Sequence, residues 1–445
     1  MNDNLAGEYI DGEGSTQNAG AANQRKIVIG RYHDGQAKTN WGGRATSLAL
    51  ANGICQIPGA GLSGVINGTY LTSTFGDFST RDKLRMRAQY AYDIIGSGGS
   101  GHLRSRPFSE ISVYADKFLA RKKSKVGAAL VRSIEASDEL WMNGEGDLIA
   151  GYSGSLWRCL MIMRIAQSIG VPTRLVNSIL SAPRGDGNPV PEVIAGIEEV
   201  LQGCVSVSYR DPESLDLSNK WFSDLRANWF PDALFLWAKS PDQSDNDWYG
   251  PDSEGLSPEV QTLFSSNRSV VAISGTSSVR ERTDVREANL RLIFRNLRLA
   301  GLSPICVATS GEDAWMLPVA NADEVPTVEA KTGLAPARRL MSHVRAFGSG
   351  RYHPSILASG VGTPCAYIGS NSHKTHSLQR ILGVERPIVF DAFDSEQGAI
   401  EFTKNLIVLA GADSKSRASI KSKSVECGDT FIKGMSGLGA RNGND

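Results

Sequence analysis

Three residues that could bind an anion or transfer a proton, Arg351, His353 and Lys374, lie close together in the sequence. Residues 344–349, just before them, form an apolar run typical of a short buried strand. Pro354 suits the first position of a helix, where its fixed φ and missing N–H cost nothing. In an extended segment, Arg351 and His353 would share a face because side chains two apart do so. Cationic groups beside a helix N-terminus, which itself attracts anions, predict a site for a small molecule carrying carboxylate or phosphate.

The elements around these residues predict a βαβ unit. A helical turn or two after Pro354 ends at Gly360, an apolar run at 365–368 predicts a second strand, and a polar loop holding Lys374 precedes a helix at 378–382. Parallel strands place their carboxyl ends on one side of the sheet. The three groups should therefore meet in one crevice.

The first half of the chain alternates strand and helix patterns, which indicates a parallel, doubly wound sheet. Asn40 begins a glycine-rich turn between a strand and a helix. The glycines either let the backbone approach a ligand closely or are needed only to form the turn. Arg210 ends another strand, and Asp211 can cap the following helix. The predicted strands are 26–30, 138–142, 171–179 and 204–209, and the predicted helices are 44–52, 156–169 and 193–200.

A second alternation follows a Ser-, Asp-, Pro- and Gly-rich stretch at 239–258 that has linker composition. The predicted strands here are 269–274, 304–308 and 388–390, and the helices are 286–300, 335–341 and 396–410. We predict a disordered tail at 1–25, an N-terminal Rossmann-like domain at 26–260, a C-terminal one at 261–412, and a final helix with a tail that frays after about 433 at 413–445. A length of 445 residues fits two domains.

The composition bears on which partners and which cellular location the protein could have. The 47 basic and 47 acidic residues balance, so bulk charge gives no support for nucleic acid or an acidic membrane as partner. No apolar run approaches 18 residues and no signal-peptide core is present, which predicts a cytoplasmic protein. The Gly-rich run at 96–101 lacks the ending of a phosphate loop and is interpreted as a surface loop.

The six cysteines and six histidines give no metal-site pattern. No CxxC pair occurs, and most cysteines lie in apolar runs, which predicts buried reduced thiols. Cys427, in a Lys-rich segment, is expected to be exposed. His33 and His102 lie in polar loops without partners at metal-ligand spacing, so no metal is predicted.

Four landmarks in order resemble the polysaccharide pyruvyl transferase family. The stretch from 349 through 362–364 to Lys374 resembles its C-terminal signature, and residues 209–214 with 231–232 resemble its middle one. The turn at 40–43 and the segment 143–147 resemble its two N-terminal landmarks. The resemblance spans about residues 26 to 390. One departure is Gly43, where the family usually has an acidic residue, so the polar role of this turn is in question.

The resemblance implies a GT-B-like fold, two facing Rossmann-like domains with the site in the cleft. It also implies that the chain moves the pyruvyl group of phosphoenolpyruvate, a co-substrate and not a cofactor, onto two hydroxyls of a sugar. The product is a cyclic ketal, and phosphate leaves. The implied acceptor is a saccharide or lipid-linked oligosaccharide of a surface polysaccharide, with possible peripheral association with membrane-bound assembly enzymes. By position, Arg210, Arg351, His353 and Lys374 match the family's donor residues.

The chemistry of this reaction explains the residue types. The planar guanidinium of arginine can donate two hydrogen bonds to one oxyanion. Arg351 is therefore assigned to one anionic end of the donor and Arg210 to the other, and which arginine binds which end is left open. Lys374 supplies a point charge to the departing phosphate, and these cations can neutralise it without a metal. His353 is the general acid, or a donor to the phosphate.

Some alternatives remain open. The general base is Glu145, Asp147 or Asp211, and Asn40 is a further candidate for acceptor binding. A GT-B glycosyltransferase that uses a nucleotide sugar is the first alternative function. The second is a catalytically inactive relative that binds saccharide.

Overall fold

A computed structural model describes residues 24–33, 40–67, 108–183, 188–239, 255–266, 268–279 and 281–440. Residues 1–23 of the predicted N-terminal tail, the Gly-rich run at 96–101, His102 and most of the predicted linker lie outside these ranges.

The first half of the chain forms a six-stranded parallel sheet in the order β2-β1-β3-β4-β5-β6. Its strands are β1 (Arg25–Tyr32), β2 (Ala60–Asn67), β3 (Glu139–Ile149), β4 (Thr173–Ser181), β5 (Ser206–Tyr209) and β6 (Ala227–Trp229). Its helices are α1 (Trp41–Cys55), α2 (Ile111–Ala120), α3 (Lys125–Glu135), α4 (Gly154–Ser168), α5 (Pro191–Gln202) and α6 (Pro212–Trp221), with short 3₁₀ segments at Phe108–Glu110 and Ala233–Lys239.

The second half forms a five-stranded parallel sheet in the order β11-β10-β7-β8-β9. Its strands are β7 (Val270–Thr276), β8 (Ser303–Val307), β9 (Thr327–Val328), β10 (Ala346–Gly350) and β11 (Cys365–Tyr367). Its helices are α7 (Pro258–Ser265), α8 (Asp284–Leu299), α9 (Met316–Ala322), α10 (Leu334–His343), α11 (Tyr352–Gly360), α12 (Lys374–Ile381), α13 (Glu396–Ala410) and α14 (Ser414–Ala440), with a 3₁₀ segment at Gly311–Asp313.

Strands such as β7, buried at every position, are what a sheet covered by helices on both faces requires. One apolar cluster of buried side chains includes members of both halves, among them Trp41, Trp237, Phe347 and Tyr352. The two Rossmann-like halves therefore share a core behind the edge where their strands end. The predicted α/β class with two parallel sheets is confirmed.

The last helix, α14, crosses back to the first half. Gly428 lies against the Phe235 carbonyl, where an added Cβ would approach to 2.8 Å, and Gly434 lies against the ring of Phe230. At its other end, Arg417 donates to the carbonyl of Val344 at 3.3 Å. The helix thus contacts both halves and continues to Ala440, beyond the fraying point predicted at 433.

The segment carrying Arg351 and His353 differs from its prediction. Arg351 is the N-cap residue and helix α11 begins at Tyr352, so Pro354 is the third helical residue and not the first. Proline is tolerated there because the first N–H groups of a helix have no intrahelical partner. The two side chains consequently do not share an extended face.

Other predictions are also corrected. Lys374 begins helix α12 and is not in a loop, and the segment 143–147 continues strand β3. Residues 388–390 form no strand and contribute one bridge, between Phe390 and Ile368. Cys427 is 4% exposed because α14 packs its apolar face inward, whereas Cys55 is exposed; all six thiols are free. Helix α9 and the two-residue strand β9 had not been predicted.

Candidate active site in the interdomain cleft

The carboxyl edges of the two sheets face each other, and backbone contacts hold them together. Trp41 N–H, at the start of α1, donates to the carbonyl of Thr309 at 3.0 Å. Arg44 Nη2 donates to the carbonyl of Thr332 at 2.8 Å. Asn40, a candidate for acceptor binding, caps α1 by accepting from Gly43 N–H. These contacts place the N-terminus of α1 directly beside the loops of the second sheet.

The centre of the cleft is formed by Arg210, Asp232 and His353. Arg210 follows β5, and its Nη1 lies 3.1 Å from Asp232 Oδ2 and 2.9 Å from His353 Nε2. The guanidinium also lies 4.2 Å from the ring centre of Tyr352. Arg210 and Asp232 are 1% and 0% exposed, and His353 is 12% exposed. The predicted convergence of Arg210 and His353 across the cleft is therefore present.

His353 is placed between a group that only donates and a group that only accepts. Its Nε2 lies 2.9 Å from Arg210 Nη1 and 3.3 Å from Asp232 Oδ2. With a proton on Nε2, the imidazole can donate to the carboxylate; without one, it accepts from the guanidinium. Burial alone would raise the pKa of Asp232, but His353 and Arg210 outweigh it and lower that pKa to about 2. The imidazole is satisfied before and after it gives up a proton, which suits a general acid.

Arg351 pairs with two carboxylates of the 3₁₀ segment Gly311–Asp313. Its Nη2 and Nε lie 2.7 and 3.1 Å from Asp313 Oδ1, and its Nη1 lies 2.9 Å from Glu312 Oε2. Burial would lower the pKa of Arg351, but Asp313 and Glu312 outweigh it and raise that pKa. Asp313 is fully buried, whereas 37% of the Glu312 side chain is exposed. Only the Glu312 contact is therefore readily exchanged for an anionic ligand.

Lys374 lies at the first position of α12, with its Nζ 2.7 Å from Asn371 Oδ1. Desolvation and then repulsion from Arg210 and Arg351 lower the pKa of this amine to about 7. Lys374 therefore lies within electrostatic reach of both predicted arginines. A lysine with this pKa gains charge when an anion arrives beside it.

A second histidine–carboxylate contact joins the two halves. His373 Nε2 lies 3.0 Å from Asp211 Oδ1, and Ser377 Oγ donates to the same oxygen at 3.2 Å. Asp211 also caps α6, as predicted, by accepting from Ser214 N–H at 2.8 Å. Burial would raise the pKa of Asp211, but His373 outweighs it and lowers that pKa.

The other two candidate bases lie on β3. Glu145 Oε1 accepts from Asn143 Nδ2 at 3.2 Å and lies 3.5 Å from His33 Nε2, and Asp147 contacts Arg31. His33 follows β1 and was not predicted as a site residue. A histidine immediately after a buried strand, at the edge where the ligand is expected, was the available sequence signal.

Buried hydrogen bonds connect Glu145 to the central triad. Asn177 Nδ2 donates to Asn143 Oδ1 at 3.0 Å and to Thr46 Oγ1 at 2.8 Å. Thr46 in turn donates to Asp232 Oδ1 at 2.9 Å. Glu145 and Asn177 both have positive φ, 42° and 54°, a backbone strain that concentrates at functional sites. The sequence analysis had not identified Asn177 or Thr46, and it had included Asn143 only as part of the landmark 143–147.

The described residues contain no group of three or more potential metal-ligating side chains. In the same part of the chain, no helix combines the length and apolarity needed to cross a bilayer.

The architecture is that of GT-B enzymes, two Rossmann-like domains with facing carboxyl edges, which confirms the predicted fold. The N-terminal domain of Candida albicans trehalose-6-phosphate phosphatase superposes with a TM-score of 0.55 at 10% identity, over 97% of this chain and 99% of that one. S. aureus MnaA in its UDP co-structure gives 0.53 at 12% identity, over 93% and 94% of the two chains. The Neisseria meningitidis UDP-GlcNAc 2-epimerase bound to UDP-GlcNAc gives 0.52 at 11%, over 92% and 100%.

These likenesses establish the fold that this chain shares with carbohydrate-related enzymes. No family profile matches the sequence, and no curated protein matches it either. Identity of this order carries no residue roles, so the function is argued from the site.

Proposed function

We propose that this protein transfers the pyruvyl group of phosphoenolpyruvate to two hydroxyls of a sugar, forming a cyclic ketal and releasing phosphate. The proposal is carried by one observation: Lys374, at the start of α12, lies within electrostatic reach of both Arg210 and Arg351, and Arg210 Nη1 lies 2.9 Å from the imidazole of His353. A compact donor with a carboxylate and a phosphate, close to three negative charges, needs such a set.

The donor would enter where charge is least compensated. Lys374 at the start of α12 combines an amine with the N–H groups of a helix terminus, which suits the phosphate. Arg351 Nη1 is reached by replacing the half-exposed carboxylate of Glu312, which suits a carboxylate or phosphate oxygen. Arg210 is held by Asp232 and supports His353 from the opposite side of the donor.

His353 would protonate the methylene carbon of the enol. Protonation gives the adjacent carbon oxocarbenium character, and a sugar hydroxyl attacks it. Asp232 stabilises the protonated imidazole and Arg210 the neutral one. Phosphate then leaves toward Lys374, whose proton compensates the charge that develops on the leaving oxygen.

The acceptor class is a saccharide of a surface polysaccharide or its lipid-linked precursor. We test the reaction by incubating the protein with phosphoenolpyruvate and a panel of oligosaccharides and glycosides. The expected result is phosphate release together with an acceptor mass increased by one pyruvyl ketal. Both should disappear in His353→Asn and persist in the control His343→Gln, since His343 is an exposed residue stacked on Phe264. Turnover that continues unchanged in His353→Asn contradicts the proposed role.

A nucleotide-sugar enzyme is the second candidate, favoured by the fold shared with UDP-bound structures. Ligand-induced stabilisation separates the two, because a ligand at 100 times its Kd stabilises by about 2.7 kcal/mol. Stabilisation by phosphoenolpyruvate and not by UDP supports pyruvyl transfer. The reverse supports the nucleotide-sugar reaction. Stabilisation by saccharide alone, without turnover, supports an inactive saccharide-binding protein.

A further inference from the structure

Two imidazoles flank the glycine pair at the start of α1. A Cβ added to Gly42 would lie 2.6 Å from His353 Nδ1, and one added to Gly43 would lie 3.0 Å from Cγ and Cδ2 of His33. Contacts this close leave no room for side chains at either position. The glycines therefore let one imidazole from each half of the molecule approach the same helical turn.

His33 is held in a way that leaves one ring nitrogen available. Its backbone N–H donates to Ser47 Oγ at 3.0 Å, which fixes the residue after β1. Its Nε2 is buried, makes no hydrogen bond within the described ranges, and lies 3.5 Å from Glu145 Oε1. The carboxylate favours the tautomer with its proton on Nε2, so Nδ1 is the nitrogen left to accept a proton. The side chain as a whole keeps 35% of its surface exposed.

The carboxylates in the site are less suited to act as the base. Asp211 is fully buried and accepts from Ser214, Ser377 and His373. Asp147 contacts Arg31, which compensates its charge. Glu145 is 6% exposed and faces Asn143 and His33. A carboxylate that orients a histidine, with the histidine facing the substrate, is the arrangement of a general base and its orienting group.

We propose that His33 Nδ1 is the general base that takes the proton from the acceptor hydroxyl, and that Glu145 is its positioning residue. The proposal rests on the pyruvyl transfer proposed above and assigns the second half of its acid–base chemistry. His33 then takes a proton from the acceptor hydroxyl, and His353 gives a proton to the donor.

The proton balance of the reaction is consistent with this division. Each of two sugar hydroxyls forms one C–O bond to the central carbon of the donor and loses one proton. One proton is added to the methylene carbon, which becomes methyl, and one leaves with phosphate as its C–O bond breaks. Two protons are released and two are consumed, so proton exchange with solvent returns both imidazoles and Lys374 to their starting states, and no oxidant or reductant is needed.

The charges around His33 favour the neutral form that a base needs. Desolvation lowers the pKa of His33, Arg31 and His353 reinforce that effect, and Glu145 opposes it. These three groups lie on β1, α11 and β3, the elements that surround the ring. At neutral pH the imidazole is therefore ready to accept a proton.

The first test needs no acceptor. Protein labelled with ¹³C at histidine Cε1 is titrated by NMR, and the His33 resonance is assigned by its loss in His33→Gln. We expect a midpoint below the ordinary value of about 6.5, and a still lower one in Glu145→Gln because the carboxylate that supports the imidazolium is gone. A midpoint at or above the ordinary value, or one unmoved by Glu145→Gln, overturns the assignment.

The second test uses turnover of phosphoenolpyruvate with the best acceptor in a set of p-nitrophenyl glycosides. His33→Gln should lower kcat by about 10² to 10⁴ and abolish the acidic limb of the kcat–pH profile. Its KM for phosphoenolpyruvate should stay within about threefold, because His33 serves the acceptor. His343→Gln is the matched control and should match the wild type. A His33→Gln enzyme with kcat within threefold of wild type overturns the proposal.

Together, the two tests distinguish a failure of the proposed reaction from a failure of the proposed base. Wild-type protein that releases no phosphate with any glycoside overturns pyruvyl transfer and with it the base of that reaction, and the expected His33 titration then supports only the pairing of His33 with Glu145. Active wild-type protein with an insensitive His33→Gln variant supports the reaction and overturns the base.

Discussion

The two faces of the cleft are built differently. The face from the second sheet carries exposed or exchangeable charge, with Lys374 at a helix N-terminus and Arg351 paired in part to the accessible Glu312. The face from the first sheet is a buried hydrogen-bonded network that runs from Glu145 to Asp232. The face from the second sheet can change its charge state when a ligand arrives, and we call it the exchangeable face. The face from the first sheet holds its groups in place, and we call it the fixed face.

Under the proposed reaction, this difference assigns donor binding to the face from the second sheet and control of proton transfer to the face from the first. Fixed amides and carboxylates orient imidazoles, because every polar atom in a buried network constrains its neighbours. Mobile cations and helix termini neutralise an anion that must enter and leave as phosphate. The experiments below disturb one face at a time, and each has a different effect if the division is correct.

The largest effect is expected at the point where the faces meet. His353→Asn keeps a polar side chain but removes the imidazole that lies between Asp232 and Arg210 and that is proposed to give a proton to the donor. We expect kcat to fall by about 10³, within the range for a lost general acid, with phosphoenolpyruvate affinity changed by less than about tenfold. Stopped-flow phosphate release and calorimetric binding measure the two quantities. Equal losses in both would assign His353 to donor binding instead.

Gly42→Ala tests whether the imidazole of His353 must lie as close to the start of α1 as it does. The added Cβ would lie 2.6 Å from His353 Nδ1, so the ring must move while the helix gains a residue that favours helix formation. We expect kcat to fall by about 10²-fold, since a misplacement near 1 Å has effects of this order, with little change in stability. Gly437→Ala, which meets no atom within 4 Å, is the control. An active Gly42→Ala enzyme would show that the approach is not required.

Lys374 tests whether the exchangeable face gains charge on binding. Its lowered pKa of about 7 means that the amine is mostly neutral at pH 8 in the free protein. A phosphate beside it favours the charged form, so donor binding should take up close to one proton at pH 8 and fewer below pH 7. Calorimetry in two buffers of different ionisation enthalpy measures the uptake. Lys374→Arg, always charged, should bind the donor without it.

Glu312→Gln should strengthen donor binding slightly. The carboxylate competes with the donor for Arg351 Nη1 and is partly exposed, so its removal should lower the Kd for phosphoenolpyruvate by about two- to fivefold. Asp313→Asn is the contrasting variant, because Asp313 is buried and fixes the guanidinium. It should weaken binding. Weaker binding in both variants would assign Glu312 to positioning Arg351 as well.

The sequence predicted the parallel sheets because apolar strands alternate with helices, and local cap chemistry correctly placed Asp211 at the start of α6. It also identified Arg210, His353 and Lys374, whose types match the chemistry of an anionic donor. It could not show that Arg351 is paired with Asp313, which precedes it by 38 positions. Such a contact depends on the packing of loops from different strands, and no local pattern encodes it.

The same limit explains why His33 and the amide network escaped prediction. Asn177 belongs to a strand whose pattern predicts burial alone, and it adopts a positive φ that asparagine tolerates better than most residues. Asn143 follows the strand predicted at 138–142 and entered the analysis only as part of the landmark 143–147. Their relation to Asp232 depends on the sheet register and on the approach of α1. The sequence therefore predicted the exchangeable face better than the fixed one.

The last expected effect is on stability in acid and not on activity, and it arises on the fixed face. The folded-state pKa of Asp232 is about 2, below its usual value near 3.9, so the unfolded chain binds more protons in this range. Stability from this group is therefore complete above about pH 4 and is lost as the pH falls through 2, amounting to roughly 2 kcal/mol. Urea unfolding at pH 5 and pH 3 measures it. Asp232→Asn should be less stable at pH 5, because Arg210 loses its buried partner, and should lose less on acidification than the wild type. Equal losses in the two proteins would show that Asp232 does not contribute to the charge coupling of this face.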